Sequence, residues 1–130
     1  MITLATLKDA TEQQVFDQVV RHMIKQGQRS VAGPGVSMCL YRGPEGLMCA
    51  AGCLIADDEY QPFFDNGSGG GGGPWVSLVT LGQVPSHHEK LIGELQRAHD
   101  QAGRIETVLE KMRTIGVSYN LNLDVFNHAG

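Results

Sequence analysis

Clustered positive charge is what this chain most plainly lacks. Its ten Lys and Arg residues are scattered from Lys8 to Arg113, and the formal net charge is -4. Duplex binding needs a basic block that displaces counterions, so general nucleic-acid binding is excluded as a leading expectation. Long apolar runs are missing too. No stretch approaches the roughly 18 consecutive apolar residues of a membrane span. Residues 1–8 have no basic region ahead of an apolar core, so they do not read as a signal peptide. Cysteine is sparse: Cys39, Cys49 and Cys53 are the only three. An odd, low count without a leader argues for reduced thiols in a cytoplasm, not a disulfide scaffold. The C-x-x-C knuckle of a structural zinc site is absent, as is the EF-hand spacing of acidic residues. Gly43, Gly46 and Gly52 lack the Lys-Ser/Thr ending of a phosphate loop and the strand–Gly-x-Gly-x-x-Gly–helix order of a dinucleotide site. No metal and no cofactor is therefore expected.

What is present suffices for one core. The chain has 130 residues, 42% of them apolar, the size and composition of a single soluble domain. Residues 9–27 read as a helix. Asp9 with Glu12, or Thr11 with Gln14, supplies a capping box. Val15, Phe16, Val19, Val20, Met23 and Ile24 form the apolar stripe, and Gly27 is the stop. Residues 36–42 and 47–55 read as strands of a hairpin around Gly43-Pro44-Glu45-Gly46. The small residues 49–53 suit a buried helix equally well. Residues 66–74 are a glycine-rich linker, of a kind inserted by engineering as well as found in natural loops. Residues 75–81 suggest one or two helical turns. Ser86-His87-His88-Glu89 offers a second capping box, opening a helix to about Ala102. A third helix from Arg104 competes near its end with a period-two pattern over 117–125. Asn and Asp in that pattern disfavour a strand, so the helix is expected to end near Asn120, with a short terminal helix capped by Asn122. The expected fold is α+β: a small β-hairpin packed against three longer helices, forming one domain over residues 1–130.

The candidate functional residues surround the apolar run 49–55. Buried thiols are better read as small core hydrophobes than as nucleophiles or metal ligands. A catalytic thiol would need a base such as His22, His87, His88 or His99 beside it. His88 and His99 share a helix face but stand about 16 Å apart along it, so one small metal cannot bridge them. His99, near a helix end, suits a partly buried histidine. Asp57, Asp58 and Glu59 emerge together from the core. Tyr41, Arg42, Asp57, Asp58 and Tyr60 are expected close together on one surface and, with His99, form the candidate ligand-binding set. Val108, Met112, Ile115 and Tyr119 are a candidate second apolar face for a homodimer.

Three segments carry a family resemblance. They are Leu4-Ala5-Thr6-Leu7-Lys8-Asp9-Ala10-Thr11-x-Gln13-x-Val15-Phe16-Asp17-Gln18, then Tyr41-Arg42-Gly43-x-x-Gly46-x-x-Cys49-Ala50-x-Gly52-x-Leu54-Ile55-x-Asp57-x-x-Tyr60, and Leu91-Ile92-x-x-Leu95-Gln96-x-x-His99-Asp100. Together they resemble a group of small proteins of tailed phages and proteobacterial prophages. That group has no established activity, so it transfers no site residues. The resemblance implies a phage accessory protein acting on a host process or defence system. The expected function is non-catalytic binding, in the host cytoplasm, of a host protein or a small anionic ligand. The alternative is a small enzyme using a cysteine nucleophile or the Asp57-Asp58-Glu59 cluster.

Overall fold

The computed structural model describes residues 2–28, 46–60 and 85–128. Helix α1 spans Glu12–Gln26. Its capping box is the Thr11/Gln14 one: the Gln14 N–H donates to Thr11 Oγ1 at 3.1 Å, and the Thr11 N–H donates to Gln14 Oε1 at 2.9 Å. Gly27 closes it in the left-handed region at φ 72, its N–H bonded to the Met23 carbonyl. Helix α2 spans Glu89–Gln101. It starts later than the Ser86 capping box predicts: Ser86–His88 is a 3-10 turn, and His88 stands at the N-cap with no side-chain cap bond.

Helix α3 spans Ile105–Ser118 and α4 spans Val125–His128. The rival strand pattern at 117–125 fails because α3 ends in a Schellman motif. Asn120 takes φ 56, Leu121 N–H returns to the Gly116 carbonyl at 2.9 Å, and Asn120 N–H to that of Val117 at 3.1 Å. Asn tolerates this left-handed position better than most residues. Asn122 then accepts the Asp124 N–H at 2.6 Å and starts the turn into α4.

The α+β expectation is overturned: among the described residues there are helices and turns and no strand. The segment 47–55, expected as the second hairpin arm, has no regular structure at 47–49. It then winds through Ala50 and Ala51 into a 3-10 turn at Gly52–Leu54. The first arm at 36–42, the linker at 66–74 and the segment 75–81 lie outside the described residues.

Glutamine side chains take the place a sheet would have had. A carboxamide offers one donor and one acceptor, like a peptide unit. Gln18 of α1 accepts the Ile2 N–H at 2.7 Å and donates to the Ile2 carbonyl at 2.9 Å. Gln26 does the same for Met48, at 2.8 and 2.9 Å. Gln13 does so for Asn122, at 2.8 and 3.0 Å. Irregular backbone is thus satisfied by a helix face and needs no neighbouring strand.

The core is one cluster. Val15, Phe16, Val19, Val20 and Met23 of α1 meet Leu91, Ile92 and Leu95 of α2, Val108 and Met112 of α3, and the run Cys49–Ile55. Helix α1 contacts α2, α3, α4 and the Gly52–Leu54 turn, while α2 packs against α3. The Tyr119 hydroxyl donates to Glu94, joining the end of α3 to α2. Val108 and Met112 are fully buried, and Ile115 and Tyr119 pack on the core. Of the apolar stripe Val108, Met112, Ile115 and Tyr119, the first two are thus core residues and the last two remain partly exposed. Among the described residues no helix is long and apolar enough to cross a membrane.

Candidate functional site

Residues 2–3, the exposed flank of α1 and the segment 48–57 enclose a groove of about 730 Å³. Its floor is apolar: Ile2, Met48, Ile55 and Ala56 line it, with Cys53 at its edge. Its α1 wall carries Gln18, Arg21, His22, Lys25 and Gln26, and Asp57 also lines it. These α1 residues recur at three- and four-residue steps, so they share one face beside the buried stripe. Gln18 and Gln26 hold the groove's other walls, as described for Ile2 and Met48. Gln18 also donates to the Cys53 carbonyl at 3.1 Å. His22 donates from Nε2 to the Met48 carbonyl at 2.9 Å, which fixes its tautomer. Arg21 and Lys25 are exposed, one helical turn apart, and no carboxylate among the described residues pairs with either. The groove therefore combines an apolar lining with two cations against one carboxylate, Asp57, and its net positive charge favours an anion with an apolar body.

The expected binding residues are brought together only in part. Asp57 lines the groove, whereas Asp58 is exposed on the turn beside it. Tyr60 is half-buried against the core. Tyr41 and Arg42 lie outside the described residues. His99 is fully buried, not partly as expected, and does not line the groove; its Nδ1 is 2.9 Å from Asp100 Oδ1. Gln96 Nε2 donates to the same Asp100 oxygen at 2.7 Å, and its Oε1 accepts the Ala51 N–H at 2.8 Å. This buried network ties α2 to the 49–55 run. Arg21 and Lys25 were not among the residues expected from the sequence, and His22 was expected only as a possible base for a thiol. Their signal was a polar row at helical spacing alongside the Val15–Met23 stripe.

The acidic cluster does not act as a unit. Glu59 turns inward and accepts three backbone N–H groups, those of Leu4 and Ala56 at 2.9 Å and Ala5 at 3.0 Å. Partial burial alone would raise its pKa. The bonds from Ala56, Leu4 and Ala5, with the Thr3 side chain, outweigh that and hold the carboxyl below the usual range. The described thiols are also engaged locally. The Gly52 N–H donates to Cys49 Sγ at 3.3 Å, and Cys53 Sγ donates to the Ala50 carbonyl at 3.1 Å. Cys49 is 1% exposed. Burial pushes its thiol well above the ordinary value, the Gly52 N–H offsets part of this, and the nearby Asp100 charge adds to it. Among the described residues no group of three or more His, Cys, Asp or Glu side chains is arranged to hold a metal ion.

A thiolate is the reactive form, so Cys49 should resist alkylation. In the folded protein at neutral pH, iodoacetamide is expected to modify Cys49 only at the rate at which the core opens, read by mass spectrometry of digested samples. Labelling of Cys49 as fast as a free thiol would show an exposed or activated sulfur. Cys49→Ala is expected to cost about 1 kcal/mol through lost packing.

No family model, no curated protein and no solved structure matches this chain.

Proposed function

We propose that this chain is a non-catalytic binding protein of the phage-accessory kind implied by its resemblance, sequestering a small anionic ligand with an apolar body in the host-cell cytoplasm. The observation that carries the reading is the groove itself: Arg21 and Lys25, which form no ion pair among the described residues, line it together with Ile2, Met48, Ile55 and Ala56. Such a site holds an acyl or aryl body by burial and its anionic group by charge. The enzymatic alternative finds less support. The Cys49 thiol is held protonated by burial, and the Glu59 carboxylate is committed to backbone N–H groups.

The test uses a medium-chain alkyl sulfonate below its micelle concentration, with the matching alcohol and amine as controls, titrated by calorimetry at neutral pH. The sulfonate is expected to bind one-to-one and tighter than either control. Arg21→Glu combined with Lys25→Glu is expected to weaken it by about tenfold, or ~1.4 kcal/mol. Both charges are solvent-exposed, which keeps the effect moderate. Equal binding of sulfonate and amine, or an unchanged affinity in the double variant, would remove the groove from consideration.

A further inference from the structure

The segment 2–10 is anchored by Leu7, fully buried in the core, with Ile2, Leu4 and Ala10 packed beside it, and its backbone is tied down by side-chain clasps. Gln18 holds Ile2, Glu59 holds the N–H groups of Leu4 and Ala5, and His88 holds the Ala10 carbonyl through Nε2 at 3.0 Å. Its own backbone bonds stay within the segment, from Thr6 to Thr3, Asp9 to Thr6 and Ala10 to Leu7. Two of the three clasps are titratable, and the segment supplies Ile2 and Thr3 to the groove. We propose that residues 2–10 form an acid-releasable strap that makes one wall of the groove and detaches in two stages, first at His88 and then at Glu59. Its consequence for binding rests on the groove reading above; the release itself does not.

The His88 clasp works only while the ring is neutral. The ring is 1% exposed. Donation to Ala10 places the proton on Nε2, and the buried Nδ1 has no hydrogen-bond partner among the described residues. Protonation would place a charge and a second donor, Nδ1, in a buried site, which desolvation opposes. The groups facing the ring come from three elements. His87, on the same 3-10 turn, has its ring centroid 4.1 Å away and opposes a charge. The carbonyls of Leu7 and Ala10 and the Glu12 carboxylate at the start of α1 favour one. Burial and His87 prevail, so His88 titrates below its ordinary value of about 6.5. The released segment leaves His88 at that ordinary value. Release is therefore unaffected above about pH 6.5, and it grows by up to about tenfold per pH unit as pH falls from there towards the folded value. Glu59 follows the same sign at lower pH: its contribution is complete above the ordinary carboxylate range and is lost as pH falls through its depressed folded value.

Amide hydrogen exchange, corrected for the intrinsic pH dependence, tests the order of release. Between pH 7 and 5 the amides of Asp9 and Ala10 are expected to lose protection, beginning below about pH 6.5 and bounded by the single-proton limit of about tenfold per unit. Those of Leu4 and Ala5 should hold until the carboxylate range. His88→Gln keeps a neutral donor for Ala10 and is expected to flatten the first stage while leaving the second. Constant protection of Ala10 across pH 7 to 5, or the same loss in His88→Gln, would overturn the proposal. If that variant does not fold, the wild-type ring resonances decide: an ordinary His88 titration with no linked change at Ala10 overturns it, and a depressed one tracking Ala10 supports it. The alkyl sulfonate, which keeps its charge throughout, should bind several-fold more weakly at pH 5 than at pH 7.5. Absence of sulfonate binding at pH 7.5 would count against the groove alone, while the exchange pattern still decides the strap.

Discussion

Gln96→Leu is expected to destabilise the protein by about 3 kcal/mol, although the two side chains are nearly equal in volume and an apolar residue suits a core. Gln96 is 1% exposed. Its Oε1 receives the Ala51 N–H at 2.8 Å, inside a run whose residues 49–55 are all buried. Its Nε2 supports Asp100, which also faces His99. Leu would leave the Ala51 N–H without this acceptor in a buried site, and Asp100 with one donor fewer. An orphaned buried donor costs about 1–3 kcal/mol, and a lost bond to a carboxylate about 1.5–3 kcal/mol. Urea unfolding should show a lower midpoint with the slope unchanged, because the area exposed on unfolding hardly alters. Gln101→Leu, on the exposed end of the same helix, should stay within about 0.5 kcal/mol of wild type. A Gln96→Leu variant as stable as wild type would mean that Ala51 finds another partner, and that the network does not tie α2 to the 49–55 run.

Gln96 also shows where the sequence stopped being legible. Helices α1 and α3 were readable because their information is local: a capping box at Thr11 and Gln14, an apolar stripe, a left-handed Gly27 or Asn120. The hairpin reading failed at 47–55 because irregular or apolar backbone does not declare its partner. Met48 is paired by Gln26, twenty-two residues away, and Ala51 by Gln96, forty-five residues away. A glutamine on a helix reads as a solvated polar residue, and nothing local marks it as a surrogate peptide group. The capping box at Ser86 failed for a related reason. His88, which the box would place inside the first turn, is drawn instead to the Ala10 carbonyl, seventy-eight residues distant. Of the candidate site, Asp57 was found because it follows the apolar run. Arg21 and Lys25 were passed over, and His22 weighed only as a base for a thiol, because they lie on a helix whose buried face explained its pattern completely. Glu59 was grouped with Asp57 and Asp58 by adjacency, whereas a turn at 57–59 sends it inward to Leu4 and Ala5.

The largest single loss is expected from Phe16→Ala, about 4 kcal/mol, enough to lower the melting temperature by on the order of 10 °C. Phe16 is fully buried at the crossing of α1 with α3 and α4. Gly116 shows how close the approach is. A Cβ built on it would meet Phe16 Cζ and Leu123 Cδ2, each at 2.7 Å, so α3 comes as near as its backbone allows. On its other side the ring meets Phe126 edge-on, centroids 6.1 Å apart at 62°, and the Arg113 guanidinium lies 4.3 Å above Phe126. Truncation therefore removes buried area, leaves a cavity walled by backbone that cannot collapse into it, and ends an aromatic pair contributing about 0.5–1.5 kcal/mol. Phe126→Ala, at a half-buried ring, should cost about half as much, and the double variant less than the sum, since the pair is lost only once. Gly116→Ala tests the same junction from the opposite side. Alanine favours a helix interior by about 1 kcal/mol, but the clash with a rigid ring should prevail, for a net loss of about 1–2 kcal/mol. In Phe16→Ala the ring is gone, and Gly116→Ala should then turn from destabilising towards neutral. A Gly116→Ala cost that is the same with and without the Phe16 ring would show that contact with Leu123, not with Phe16, sets the spacing of α1 and α3.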